Sequence, residues 1–165
     1  MKKQVYPYFS YGSNNLQQLA ERVGRQTPFV HEPGVLTNHT RIFAGHSNRW
    51  GGGVASFYPR KGINMEGVIV QMTEEELSIL DTYEGGYTRM RKRIYPSSKP
   101  DSYIYAYIYC KKNQIFSTMP SNAYLEAIHK NIKADTIPIY GVDSESHHVR
   151  LKAIWMKEKG VMIPT

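Results

Sequence analysis

The sequence predicts an α+β fold built on a strongly curved sheet or small β-barrel with flanking helices. Two observations carry this prediction. Strand signals follow one another at 5–11, 34–44, 53–58, 65–72, 89–96 and 102–110, interrupted by one helical segment and followed by further helix. A doubly wound sheet would instead alternate strand and helix throughout. In addition, Gly51, Gly52, Gly53 and Gly67 suit the close backbone approach and sharp bending of a sheet that curls on itself.

Each element has a local reason. Val5, Tyr6, Tyr8, Phe9 and Tyr11 form a β-prone run that stops at Gly12-Ser13-Asn14. An amphipathic helix follows over 14–24, with Leu16, Leu19, Ala20 and Val23 on one face and Ser13 or Asn14 as its cap. Thr73-Glu74-Glu75-Glu76 is a capping box ahead of Leu77, Leu80 and Tyr83, so a second helix starts there. It ends at Gly85-Gly86. The run Ser102 to Cys110 is the strongest strand signal, and the turn Pro96 to Asp101 makes it a hairpin with 89–96. A third helix starts near Ser121, with Tyr124, Leu125, Ile128 and Ile132 on one stripe. A last helix is expected over 143–158, from Val149, Leu151, Ile154 and Trp155. One domain over residues 1–165 is expected, with no diagnostic motif in 134–165.

Composition narrows the function classes. A hydrophobic fraction of 41% and an aromatic fraction of 12% describe a globular chain, not a disordered one. Thirteen tyrosines stand against five phenylalanines, which suits half-wet surfaces and strands. The formal net charge is +7, but it is scattered. Its densest cluster is Arg89, Arg91, Lys92 and Arg93, where alternation puts the three arginines on one solvated strand face. Zinc-finger spacing, an RRM-type aromatic motif and a long basic tail are all absent, so no nucleic-acid partner is expected. Cys110 is the only cysteine, which excludes an intrachain disulfide and fits a reducing compartment. No apolar leader follows Met1-Lys2-Lys3 and no apolar run reaches transmembrane length, so a cytoplasmic protein without a membrane partner is expected. His147-His148, with His129 nearest, lack metal-ligand spacing, and neither metal nor cofactor is expected. Ser10 and Ser13 have no His–Asp pair at a readable spacing, which argues against a serine hydrolase. Ser56 and Tyr58 fit sheet packing.

Two constellations carry chemistry. The first is the strand–turn–helix corner Tyr8-Phe9-Ser10-Tyr11-Gly12-Ser13-Asn14-Asn15. Gly12 can adopt a positive φ there and admits a ligand to the backbone. The first-turn N–H groups, backed by the helix dipole, suit a carboxylate or another anion. The second is Leu80-Asp81-Thr82-Tyr83-Glu84-Gly85-Gly86-Tyr87. Glu84 falls at a helix C-terminus, where the dipole disfavours its charged form, and burial would raise its pKa further. A carboxyl group of that kind suits general acid–base work.

With Gly52-Gly53-Val54-Ala55, Glu66-Gly67-Val68-Ile69-Val70 and the helix bearing Tyr124, these motifs stand in one order. The ordered set, from about residue 6 to about residue 130, resembles the γ-glutamylcyclotransferases and their wider cyclotransferase-like family. The resemblance implies a small mixed fold with one central cavity and a reaction without metal or cofactor. The α-amine of a γ-glutamyl group attacks its own γ-carbonyl, 5-oxoproline forms, and the attached amine or amino acid leaves. It implies substrate binding by Tyr11, Gly12, Ser13 and Asn14, largely through backbone N–H groups. Glu84 takes the catalytic position, and Tyr87 and Tyr124 line the cavity. The partner is then a small γ-glutamyl compound: a γ-glutamyl-amino acid, a lysine isopeptide or a γ-glutamyl-amine. Glutathione is disfavoured because its dedicated branch has a different surrounding pattern. Asn15 stands where many members carry leucine. The turn with Arg49 and Trp50 is expected near the pocket mouth, and segments 45–52, 60–64 and 111–120 are expected to set pocket size. The alternatives are a non-catalytic module that binds a γ-glutamyl metabolite in the same cavity and, on net charge alone, a nucleic-acid-binding protein.

Overall fold

The computed structural model describes residues 3–111 and 118–163. Eight strands and three helices follow in the order β1 (Val5–Ser10), α1 (Leu16–Val23), β2 (His31–Ser47), β3 (Gly52–Thr73), α2 (Glu74–Tyr83), β4 (Tyr87–Pro96), β5 (Ile104–Lys111), α3 (Asn122–Ile132), β6 (Thr136–Val142), β7 (Val149–Met156) and β8 (Gly160–Met162). The sheet runs β3-β1-β5-β4-β2, and β2 pairs β3 again, which closes a five-stranded barrel. Strands β6, β7 and β8 continue the sheet outward from β2.

The lengths of β2 and β3 explain how one sheet does both. His31 to Thr37 pair with Asn64 to Val70 inside the barrel, and His39 to Ser47 pair with Gly52 to Pro59 beyond it. The break between the two ladders sits at Asn38, whose φ is 57° and whose Oδ1 accepts the Gly62 N–H at 3.0 Å. An asparagine tolerates that backbone better than most residues. Segment 60–64, expected to shape the pocket, belongs to this irregularity and does not line the cavity. Gly67 is required by proximity: a Cβ there would sit 2.5 Å from the Phe9 ring.

The barrel interior is filled by Phe9, Ile69, Ile94 and Ile108, all essentially without solvent exposure. Leu125 and Ile128 of α3 and Trp155 of β7 belong to the same core. A second cluster, including Leu19, Leu77, Leu80 and Met72, packs α1 and α2 against the outside of the barrel. The capping box of α2 is present as read: the Thr73 side chain accepts the Glu76 N–H, and the Glu76 carboxylate accepts the Thr73 N–H. The hairpin of β4 and β5 also forms, with Tyr87 opposite Lys111 and Ile94 opposite Ile104.

The C-terminal prediction is corrected. Residues 143–158 are not a helix: residues 143–148 form a reversal and Val149–Met156 is strand β7, antiparallel to β6. Ala153 and Trp155 point inward at a period of two, and β6 buries Ile137 and Ile139 in the same way. His147 and His148 therefore lie in a turn, not on a helix. No described helix is long and apolar enough to cross a membrane.

Candidate active site

Tyr11, Gly12, Ser13, Asn14, Glu84, Tyr87 and Tyr124 all line one cavity of about 270 Å³. It opens at the barrel end where β1 and β5 finish and β4 begins. The C-terminus of α2 and the start of α3 complete its wall.

The corner is rigid for specific reasons. The Ser10 hydroxyl donates to the Asn14 carbonyl at 2.7 Å. From α3, the Asn131 side-chain amide donates to the Ser10 carbonyl, the Ser10 hydroxyl oxygen and the Gly12 carbonyl, at 3.1, 3.0 and 2.9 Å. The buried Arg41 guanidinium donates to the Tyr11 carbonyl at 2.7 Å and the Glu66 carbonyl at 2.8 Å. Burial lowers its pKa.

Two local expectations are corrected here. The cap of α1 is Asn15, whose side chain accepts the Gln18 N–H, and not Ser13 or Asn14. Gly12 is not among the glycines with positive φ. Its missing side chain matters through space, because a Cβ would lie 3.4 Å from Ala55 Cβ and 3.6 Å from Tyr124 Oη.

Asn15 leaves Asn14 free to serve the cavity. The Asn14 amide donates to Glu84 Oε1 at 2.7 Å and to Tyr8 Oη at 3.0 Å. Its oxygen accepts from Gln18 Nε2 and Arg22 Nη1, both at 2.9 Å. Two donors and two lone pairs are all engaged, which orients the side chain unambiguously.

Glu84 is the C-cap of α2, held by its N–H to the Asp81 carbonyl at 3.2 Å. Its carboxyl group is pushed above the usual carboxylate range, first by burial and also by the charge of Asp81. The Asn14 hydrogen bond and the charges of Arg22 and Lys111 oppose the rise without cancelling it.

Tyrosines build the walls. Tyr87 Oη donates to the Ala55 carbonyl at 2.7 Å, and Tyr124 Oη accepts the Ala55 N–H at 2.8 Å. Tyr11 Oη donates to the Tyr109 carbonyl at 2.5 Å. Tyr109 Oη donates to Asp81 Oδ1, which also binds Arg89. Burial pushes Tyr124 up to about 12 and Tyr11 and Tyr87 well above the ordinary phenol value. These phenols stay neutral and act as hydrogen-bonding walls, not as bases. At the mouth stand Arg49 over the Trp50 ring and Lys111 over the Tyr87 ring. Of the segments expected to set pocket size, 45–52 contributes His46, Ser47, Arg49 and Trp50, and Lys111 represents the third. Residues 112–117 of that third segment lie outside the described residues. Among the described residues, no group of three or more His, Cys, Asp or Glu side chains is placed to hold a metal ion.

A family model for γ-glutamyl cyclotransferases, AIG2-like, matches residues 8–126. The chain belongs to that family. Comparison with curated protein sequences finds no match. Among solved structures, the fold is similar to an uncharacterized protein, loc79017, from Homo sapiens, at 26% identity and a TM-score of 0.69 over 79% of this chain and 80% of that one. It is also similar to a structure named gamma-glutamyl cyclotransferase, at 24% identity and a TM-score of 0.66 over 76% of each chain. A third, an aig2-like protein from Mus musculus, shares 19% identity at a TM-score of 0.52, over 74% of this chain and 83% of that one. The fold of the γ-glutamyl cyclotransferases is therefore the fold of this chain.

Strands β6 to β8 and Asn131 lie beyond the matched segment. Sequence reasoning missed Asn131, Tyr109, Arg22 and Arg41, and gave Tyr8 and Lys111 no role of their own beyond the segments that contain them. Some signals were present. Gln18 and Arg22 stand four residues apart on one face of α1, and Asn14 precedes them at the same spacing just before the cap. Asn131 falls seven residues after Tyr124, on the same helical stripe.

Proposed function

We propose that this chain is a γ-glutamyl cyclotransferase that releases 5-oxoproline from a γ-glutamyl amine or peptide. The observation that carries the proposal is the buried Glu84 carboxyl group with its raised pKa, in the same cavity as the 12–14 corner. A γ-glutamyl group enters with a protonated α-amine that cannot attack. Glu84 takes one of its protons. The freed nitrogen attacks the γ-carbonyl carbon, and the carbonyl oxygen becomes negative. Backbone N–H groups of Gly12, Ser13 and Asn14 are the donors offered to this oxygen or to the α-carboxylate. The C–N bond to the leaving amine breaks as Glu84 returns the proton to that amine. The ring nitrogen gives up its second proton, which the departing amine carries away as an ammonium, and the five-membered lactam is left with a single N–H. Proton uptake and return by one carboxyl group need a pKa above the ordinary carboxylate value, which supports this role for Glu84. The tyrosine walls fold the flexible glutamyl chain so that attack is intramolecular.

The test is a 5-oxoproline assay over γ-glutamyl dipeptides, isopeptides and amines, run beside Glu84→Gln. Product that depends on Glu84 supports the reading. Tight binding of a γ-glutamyl compound without product identifies a binding module instead.

A further inference from the structure

Arg22 has no role in the reaction as described, yet it is placed with care. Its side chain is 11% exposed, the same as that of Glu84. Its Nη1 lies 2.9 Å from Asn14 Oδ1 and 3.7 Å from Glu84 Oε1. The guanidinium sits 5.2 Å from the Tyr83 ring, and its Nε is buried with no hydrogen-bond partner among the described residues. A cation withdrawn this far from water loses solvation, so a surface role does not account for it.

Two consequences follow from the geometry. First, an asparagine amide presents either its oxygen or its nitrogen to a neighbour. A guanidinium donating to Oδ1, joined there by Gln18, turns the Asn14 NH₂ toward Glu84 and Tyr8. Second, Arg22 is a positive charge at a carboxylate that burial drives toward its neutral form. We propose that Arg22 is a positioning residue for Glu84. It locks the donor face of Asn14 onto the carboxylate and supplies the neighbouring counter-charge that keeps a proton-accepting oxygen available inside the cavity.

The charged and titratable groups facing Glu84 come from every side. Tyr8 comes from β1 and Arg22 from α1. Tyr11 belongs to the corner after β1, His46 to β2, Asp81 and Tyr83 to α2, and Tyr87 to β4. Tyr109 and Lys111 come from β5 and Tyr124 from α3, while Arg49, in the β2–β3 turn, acts on Arg22. Of these, Arg22 and Lys111 favour the ionised carboxylate and Asp81 opposes it. Without Arg22, Lys111 is the remaining cation among these groups that favours ionisation.

The test compares Arg22→Gln with Arg22→Lys. Gln carries no charge and, ending near the position of the arginine Nε, also withdraws the donor from Asn14 Oδ1, whereas Lys restores the charge. The first readout is the carboxyl ¹³C titration of Glu84 in ligand-free protein, assigned by its loss in Glu84→Gln. In Arg22→Gln the midpoint should rise by roughly one to three pH units, the effect of an opposite charge at this range. In Arg22→Lys it should return toward wild type. The second readout is the acid limb of the kcat/KM profile for 5-oxoproline release, which should move by the same amount. An unmoved Glu84 midpoint in Arg22→Gln, even with lowered activity, would overturn the proposal and leave Arg22 a structural residue. The inference rests on Glu84 as the base only for the second readout. A shifted titration in a protein that makes no 5-oxoproline would uphold the Arg22–Glu84 coupling and reject the reaction.

Discussion

The cavity end of the barrel and the outer face of β4–β5 are both built from tyrosine, and they use it in opposite ways. In the cavity, Tyr11, Tyr87 and Tyr124 are sunk from solvent and commit their hydroxyls to the backbone of Ala55 or Tyr109. On the outer face, the rings of Tyr107, Tyr105 and Tyr103 lie beneath the guanidinium groups of Arg89, Arg91 and Arg93, at 4.7, 5.2 and 4.9 Å. Burial raises the pKa of the cavity phenols. The Arg93 side chain, by hydrogen bond and charge, lowers that of Tyr105. The residue type is the same, and solvent access with the nearest charge decides whether it is a fixed neutral wall or a more readily ionised surface group.

The comparison can be broken most sharply at the carboxyl group that the walls surround. Glu84→Gln should lower kcat by about 10²–10⁴-fold, the usual worth of a general acid–base group, measured as 5-oxoproline released. The same variant should be more stable than wild type at neutral pH. The sign follows from the raised pKa. The folded state holds the proton more tightly than the unfolded chain, so wild type loses stability as pH rises from the ordinary carboxylate value through the raised one. Thermal melts at mildly acidic and neutral pH should therefore show the advantage of Glu84→Gln only at the higher pH.

Next in size is Asn131→Ala. It leaves two buried carbonyls and a hydroxyl without their donor, at a cost of about 2 kcal/mol in chemical denaturation. Asn131→Asp should be worse, since a carboxylate would face three acceptors. Tyr124→Phe should follow, with about 1 kcal/mol lost because the Ala55 N–H loses its acceptor. Tyr105→Phe should change stability least. An ultraviolet titration sharpens the contrast without mutation. Tyr105 should ionise below the ordinary phenol value, and Tyr124 only near 12. Loss of the early component in Tyr105→Phe, and not in Tyr124→Phe, assigns it.

What the sequence disclosed follows the range of the interactions involved. The α2 capping box spans four residues and carries its own geometry, so Thr73 and Glu76 were readable directly. The Arg89, Arg91 and Arg93 face was readable because alternation alone determines it. The barrel was legible through Gly67 and the succession of strands. Its closure through the second pairing of β2 with β3 was not, because that depends on a partner far along the chain. The segment 143–158 misled for a physical reason: Val149, Leu151, Ile154 and Trp155 satisfy a helical and a two-residue period almost equally. Pro138 masked the alternation of Ile137 and Ile139 that would have supplied the partner strand. In the site, the ordered motifs brought all seven named residues to one cavity. The polar supports were harder to see. Arg22 and Asn131 sit on helices whose apolar stripes dominate the pattern, and their purpose appears only when Asn14 and Gly12 are beside them.

The Asn131 amide also imposes an order in time. It is the donor to Ser10 and Gly12, residues 121 and 119 positions earlier in the chain. A ribosome adding about 5–20 residues per second needs roughly 6 to 24 seconds to cover that interval. Strand β1 is thus made well before α3, and its terminal corner waits for the end of α3 to emerge before its carbonyls are satisfied. A nascent chain stalled before α3 should leave the amides around that corner open to hydrogen exchange, and release of the full chain should protect them.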